Sequence, residues 1–281
     1  MELFKASNQW ATRPNDERFS SLPELHTAVS TYRESARLAV IPFDSLRTEA
    51  RQGEVMLVGK SDVPARLTHW TFGQLATSIG APATYLRELP ATLAAQNLNH
   101  GLAKTTDRTE RQVLFHQNGD LLTRSITSDK YTRIWNSEIT RRRLTLPEQG
   151  WQVPPARPAR AGQPGTRPAT LDDVLRGAGF GLSVSVGDDI APAGLYASDH
   201  DMFVFMVNND KRISEPGNPD GLARGFFVSN SEVGAASFVL TRFLYRHVCG
   251  NHIVWGASQV SEVRIKHIGT ADDRAFSHIS G

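Results

Sequence analysis

Cysteine is almost absent. Of 281 residues only Cys249 is one, so no disulfide can form within the chain and no zinc centre can be built from several cysteines. That usage fits a reducing, cytoplasmic setting. No stretch approaches the roughly 18 apolar residues that a spanning helix needs, which points to a protein without a membrane partner. The opening segment, MELFKASNQWATRPNDERF, lacks the apolar run of a secretory signal. An excess of one charge is missing too. The 31 Lys+Arg and 29 Asp+Glu leave +2, so any nucleic-acid surface must come from uneven placement of charge. The familiar signatures are also lacking: the Gly-rich phosphate loops, HExxH, GxSxG and the kinase set. Nor is there an internal repeat or a heptad pattern.

What is present is the composition of a folded chain, 40% hydrophobic and 21% charged, long enough to bury a large core. Leu22 and Pro23 suit a helix start. LAVIPF at 38–43 and EVMLVG at 54–59 read as strands, the first demoted to an edge by Pro42. Over 69–102, Phe72, Leu75, Ala76 and Ile79 recur at helical spacing. Thr71 is the expected N-cap there, Gly80 the stop, and Pro82 and Pro90 the starts of further short helices. The Asn118–Gly119 pair between QVLF and LLTRSI is a strong hairpin signal. A helix is expected over 136–143. Residues 151–170 hold five prolines, three arginines and no acid, as a flexible linker or long exposed loop would. Beyond it, 201–207 reads as a buried strand, 208–221 as a loop and 224–228 as another strand. Ser229, Asn230, Ser231 and Glu232 read as caps of a helix over 233–248, with Ala236, Val239, Leu240, Phe243 and Leu244 on one face. Residues 252–255 and 259–268 complete the strands.

The fold class expected is α+β: a mixed or antiparallel sheet packed by helices, with the Pro/Arg-rich loop in the middle. The organisation expected is an N-terminal portion over 1–150, the linker over 151–170 and a C-terminal portion over 171–281, which either stands apart from the first or forms one composite domain with it.

Several clusters could carry chemistry. Arg124, Lys130, Tyr131, Arg133, Trp135, Arg141, Arg142 and Arg143 interleave cations with aromatics, as single-stranded nucleic acid requires: guanidinium and ammonium for phosphate, flat rings for bases. The competing reading is a solvated helix face. Arg242 and Arg246, four apart on the expected helix, could extend the basic surface with Arg224 and Lys211, or pair with Glu232 or Asp220. Asp199, His200 and Asp201 could bind a divalent metal or do acid–base work, against the plainer reading of a solvated turn. His247, Cys249 and His252 match no standard zinc spacing and read as structural.

The segment DGLARGFFVSNSEVGAASFVLTRFLYRHVCGNHIVWGASQVSEVRIKHIG at 220–269 resembles the phage/plasmid-like proteins grouped as domain of unknown function 932. FGQLATSIGAPATYLRELPATLAAQNLNHGL, GDLLTRSITSDKYTRIWNSEI and SDHDMFVFMV resemble other sections of that family, in the same order. The resemblance implies a mobile genetic element as context. It carries no catalytic residue, cofactor or metal over to this chain. By analogy with phage strand-annealing proteins, the leading expectation is a non-enzymatic homo-oligomer that binds single-stranded DNA in recombination. A metal-dependent enzyme on nucleic acid or nucleotides using Asp199 and Asp201, and a phage structural or regulatory interaction protein, are the alternatives.

Overall fold

Local chemistry sets the first elements. In the computed structural model, which describes residues 13–59, 63–154, 157–158, 166–178, 183–191, 194–245, 247–248, 254–255 and 258–279, helix α1 (Leu22–Glu34) opens at Ser21, whose hydroxyl accepts from the Glu24 N–H. Strands β1 (Ala36–Pro42), β2 (Arg47–Arg51), β3 (Glu54–Val58) and β4 (Pro64–Leu67) follow. Helices α2 (His69–Ser78), α3 (Ala83–Glu88) and α4 (Ala91–Lys104) come next, then the hairpin of β5 (Glu110–Asn118) and β6 (Asp120–Ser128). Gly119 turns that hairpin at φ +79°, a conformation glycine adopts without strain. The N-cap of α2 is Thr68 and not Thr71: the Thr68 hydroxyl accepts from the Thr71 N–H at 3.1 Å. Thr71 lies inside the helix and donates to the Thr123 carbonyl at 2.8 Å.

These strands form one six-stranded sheet in the order β1-β5-β6-β4-β3-β2, with β4 and β6 parallel and the other pairs antiparallel. β1 is an end strand, as Pro42 suggested. The helices pack on this sheet through Phe43, Leu57, Phe72, Leu75, Leu98, Val113 and Ile126.

After α5 (Asn136–Arg141) come the short strands β7 (Arg157–Pro158) and β8 (Arg167–Pro168), helix α6 (Leu171–Ala178) and β9 (Asp189–Ala191). Both short strands pair with β9. The described parts of the Pro/Arg-rich stretch are therefore tied to the molecule, and residues 155–156 and 159–165 lie outside the described residues.

A second sheet is an antiparallel series, β10 (Leu195–Ala197), β11 (Met202–Glu215), β12 (Asn218–Asn230), β13 (Phe238–Tyr245) and, beyond the short pair β14 (His247–Val248) and β15 (Val254–Trp255), β16 (Ser258–Ile265). Helix α7 (Ala271–Ile279) follows it. Two expectations are corrected here. Residues 208–221 are not a loop, because β11 and β12 continue to a hairpin at Glu215 and Asn218. Among the described residues, 233–248 hold no helix: 238–245 is the strand β13, held between β12 and β16. Ser231 caps no helix, and its hydroxyl accepts from the Val233 and Ala235 N–H groups in a turn. The physical reason is that β-branched and aromatic residues (Phe238, Val239, Thr241, Phe243, Tyr245) fit a pleated strand between two neighbours.

One face of this sheet carries Met202, Val204, Met206, Phe226, Val228, Phe238 and Leu240. It packs against Leu25 and Val29 of α1, Ile139 of α5, and Ala275 and Ile279 of α7. The same core therefore holds residues from both ends of the sequence.

Candidate anion-binding site

The basic and aromatic residues singled out in the sequence divide into inward and outward sets. Arg124 is 2% exposed. Its Nη1 meets Glu232 Oε2 at 3.3 Å and its Nη2 donates to the Asp199 carbonyl at 3.0 Å. Arg133 is buried, donates to the Glu232 carbonyl and lies over the rings of Tyr131 and Trp135. Burial pushes its guanidinium down to about 10. Glu232 Oε1 accepts from the Asn136 N–H at 2.7 Å. The Tyr131 hydroxyl donates to the Ser231 carbonyl at 2.8 Å, and its ring stacks on His267 at 4.9 Å. Arg33 covers the Trp135 ring at 3.8 Å. Arg124, Tyr131 and Arg133 thus fasten the loop 231–237 to the first sheet, and the expected stacking faces of Tyr131 and Trp135 are occupied by protein groups. Lys130 and Arg141 are exposed, the latter paired with Glu138 at 2.7 Å.

The remaining arginines converge elsewhere. Strand alternation puts Arg224 and Phe226 on one face of β12, and Leu240, Arg242 and Leu244 on the same face of β13. The register places Arg224 opposite Leu244 and Phe226 opposite Arg242. This is the face that carries the apolar core, and where the core ends its side chains change to arginine. The chain leaving α5 then crosses this end. Arg142 closes the helix, Gly150 takes the left-handed region at φ +83°, and Gln152 pairs with Val207 through the backbone. Gly150 is needed there, since a Cβ would come within 2.7 Å of the Asp210 carboxylate.

The result is a cavity of about 440 Å³ lined by Arg142, Arg143, Arg224 and Arg242, with Phe226 and Trp151 among its walls. No carboxylate lines it among the described residues. Arg143 is only 8% exposed, and its Nε has no hydrogen-bond partner among the described residues. Its guanidinium lies 4.8 Å from the centre of the Phe226 ring. Burial, and then repulsion by Arg242, push it down to about 10, so it stays charged at neutral pH. Arg242 donates to the His278 carbonyl at 2.7 Å, at the negative end of α7. Arg142 lies over Phe276 at 4.2 Å. Like charges gathered with no carboxylate among the described walls favour an anion, and guanidinium forks match phosphate and carboxylate oxygens.

Arg142, Arg143 and Arg242 were legible as candidates. Arg224 stands in the sequence only as an extension of the basic surface, and nothing local there marks Trp151 or Phe226. A period-two reading of 238–245 would have set Arg242 across from Phe226. Arg246 lies outside the described residues, as do Cys249 and His252.

Asp199, His200 and Asp201 sit in the turn before β11. His200 Nδ1 lies 2.6 Å from Asp199 Oδ1, and Asp201 Oδ2 accepts from Arg13 at 2.7 Å. The Asp199 hydrogen bond raises the His200 pKa, and the same bond lowers that of Asp199. These groups are already paired with one another and with Arg13. Among the described residues no group of three or more His, Cys, Asp or Glu is placed to hold a metal ion. No described helix is long and apolar enough to cross a membrane.

No curated protein and no solved structure matches the chain. One family does, described as "Domain of unknown function (DUF932)", over residues 171–278. That stretch contains Arg224, Phe226 and Arg242 on β12 and β13, together with Glu232. The match spans residues 171–278, and over that stretch the chain is similar to the domain of unknown function 932 family.

Proposed function

We propose that the protein binds single-stranded DNA as a non-enzymatic component of recombination in a mobile element, with phosphate held at the arginine-lined cavity. The observation that carries this reading is the gathering of Arg142, Arg143, Arg224 and Arg242 around one concavity with no carboxylate among its described walls. Phosphate neutralisation supplies most of the affinity of such proteins. Trp151 supplies an aromatic surface beside the cations, as base stacking requires. Lys130 and Arg141, both exposed, add long-range attraction for the strand in this reading. Arg124 and Arg133, being buried with Glu232, serve to hold the two sheets together and not to contact the strand.

Self-assembly is part of the proposal. β1 ends its sheet and leaves Leu38 and Val40 52% and 56% exposed, and an end strand of this kind is a template for pairing with another copy.

The test is fluorescence anisotropy of a labelled single-stranded oligonucleotide titrated with full-length protein at low and moderate salt, with the matching duplex as control. Salt-sensitive binding that prefers the single strand is the expected result. Absence of binding at low salt would refute the reading.

A further inference from the structure

The shape of the arginine cavity says more than its charge. A protein that tracks along a strand presents cations in a row, in an open groove. Here the cations line one concavity. Arg142 comes from the end of α5, Arg143 from the turn behind it, Arg224 from β12 and Arg242 from β13. The deepest of them, Arg143, is 8% exposed, and its Nε meets no partner among the described residues. An internal phosphodiester has a nucleotide on either side, and both would have to enter with it to reach that depth. A terminal phosphate has one attachment and can enter end-on.

Charge argues the same way. A phosphomonoester carries close to two negative charges at neutral pH, because its second ionisation lies near 6, whereas a phosphodiester carries one. Four guanidiniums with no described carboxylate among them favour the dianion. The volume of about 440 Å³ falls in the range of pockets that take a small organic ligand, so a phosphate and part of its nucleoside fit. Trp151, packed edge-on to Phe226 at 4.9 Å, gives the sugar or base an aromatic wall.

We infer that the arginine cavity is a receptor for a nucleoside phosphomonoester, the phosphorylated end of a nucleic-acid strand or a free mononucleotide, with Arg143 and Arg242 at its base and Arg142 and Arg224 at its rim. This rests on the reading of the cavity as a phosphate site and names the kind of phosphate it takes.

The experiment uses the full-length protein and oligothymidylate labelled at one end. The other end carries either a phosphate or a hydroxyl, and both polarities are made. AMP and adenosine are the competitors. A terminal phosphate on one polarity is expected to tighten binding by about tenfold, as added charge-assisted bonds do. AMP should displace that strand and adenosine should not. Arg224→Gln, at an exposed position, should abolish the preference with its circular dichroism unchanged, and Arg143→Met serves as the buried counterpart.

Equal binding of phosphorylated and hydroxyl ends would overturn the inference and leave strand binding intact. A preference that survives Arg224→Gln would place the phosphate elsewhere and also overturn it. If no oligonucleotide binds but AMP raises the melting temperature of the wild-type protein and not of Arg224→Gln, the receptor stands with the free nucleotide as its ligand, and strand binding falls. If neither oligonucleotide nor AMP binds, both fall.

Discussion

Glu232 is the residue on which the junction between the sheets depends. It is 2% exposed, its side chain meets Arg124, and its carbonyl accepts from Arg133. Both arginines are themselves buried. Removing one partner of a buried ion pair leaves an uncompensated charge, which costs about 3–5 kcal/mol. Glu232→Ala should therefore lose stability of that order in urea unfolding, and a loss below about 1 kcal/mol would mean the arginines have other counter-charges. His267 gives a second prediction at this scale. It is 6% exposed, and burial holds its pKa down to about 4, against an ordinary value near 6.5. The folded state thus binds its proton later than the unfolded chain does. Its contribution is intact above pH ~6.5 and is lost as pH falls toward ~4, by on the order of 3 kcal/mol. His267→Gln should flatten the stability profile in that window, and an unchanged acid limb would show that other groups set it. Neither role was legible beforehand, because Glu232 lies about a hundred residues from Arg124 and Arg133 in sequence, and interleaved cations and aromatics look alike whether they face water or a buried carboxylate.

The element that governs the candidate site is β13. Residues 236, 239, 240, 243 and 244, all but the first on this strand, satisfy a helical stripe, and Ser229 and Ser231 resemble caps. Two things decide for the strand. The segment is dense in β-branched and aromatic residues, and both its neighbours, β12 and β16, are long enough to pair along it. Tertiary pairing of this kind is invisible in a local window. The first hairpin, by contrast, was fully legible, since Asn118 and Gly119 set its turn locally. Gly225 on β12 has a stated reason as well: a Cβ there would fall on the Phe243 ring across the strand pair. Gly225→Ala should cost about 1–3 kcal/mol through overpacking, measured by thermal unfolding. No change in stability would mean the Phe243 ring can step aside freely.

At the scale of the molecule, the core that joins α1, α5 and α7 to the second sheet draws on residues from Phe19 to Ile279. The α+β class was legible from the mixture of periodicities; the pairing of distant segments was not, because register and sheet order depend on contacts between them. The same holds for the arginine cavity, which unites the exit of α5 with strands about eighty and a hundred residues later. Assembly makes its own prediction. If copies pair through β1, Val40→Lys should shift the protein toward monomer in sedimentation, and an unchanged distribution would exclude this edge.

The central claim is that phosphate binds at the arginine cavity, and the salt dependence of single-strand binding tests it most directly. The slope of log affinity against log salt should fall by about 0.7 for each phosphate contact removed. Arg142→Gln with Arg224→Gln, both exposed rim positions, should therefore flatten the slope of the wild-type protein and weaken binding at low salt. A double variant with the wild-type slope and affinity would contradict the account.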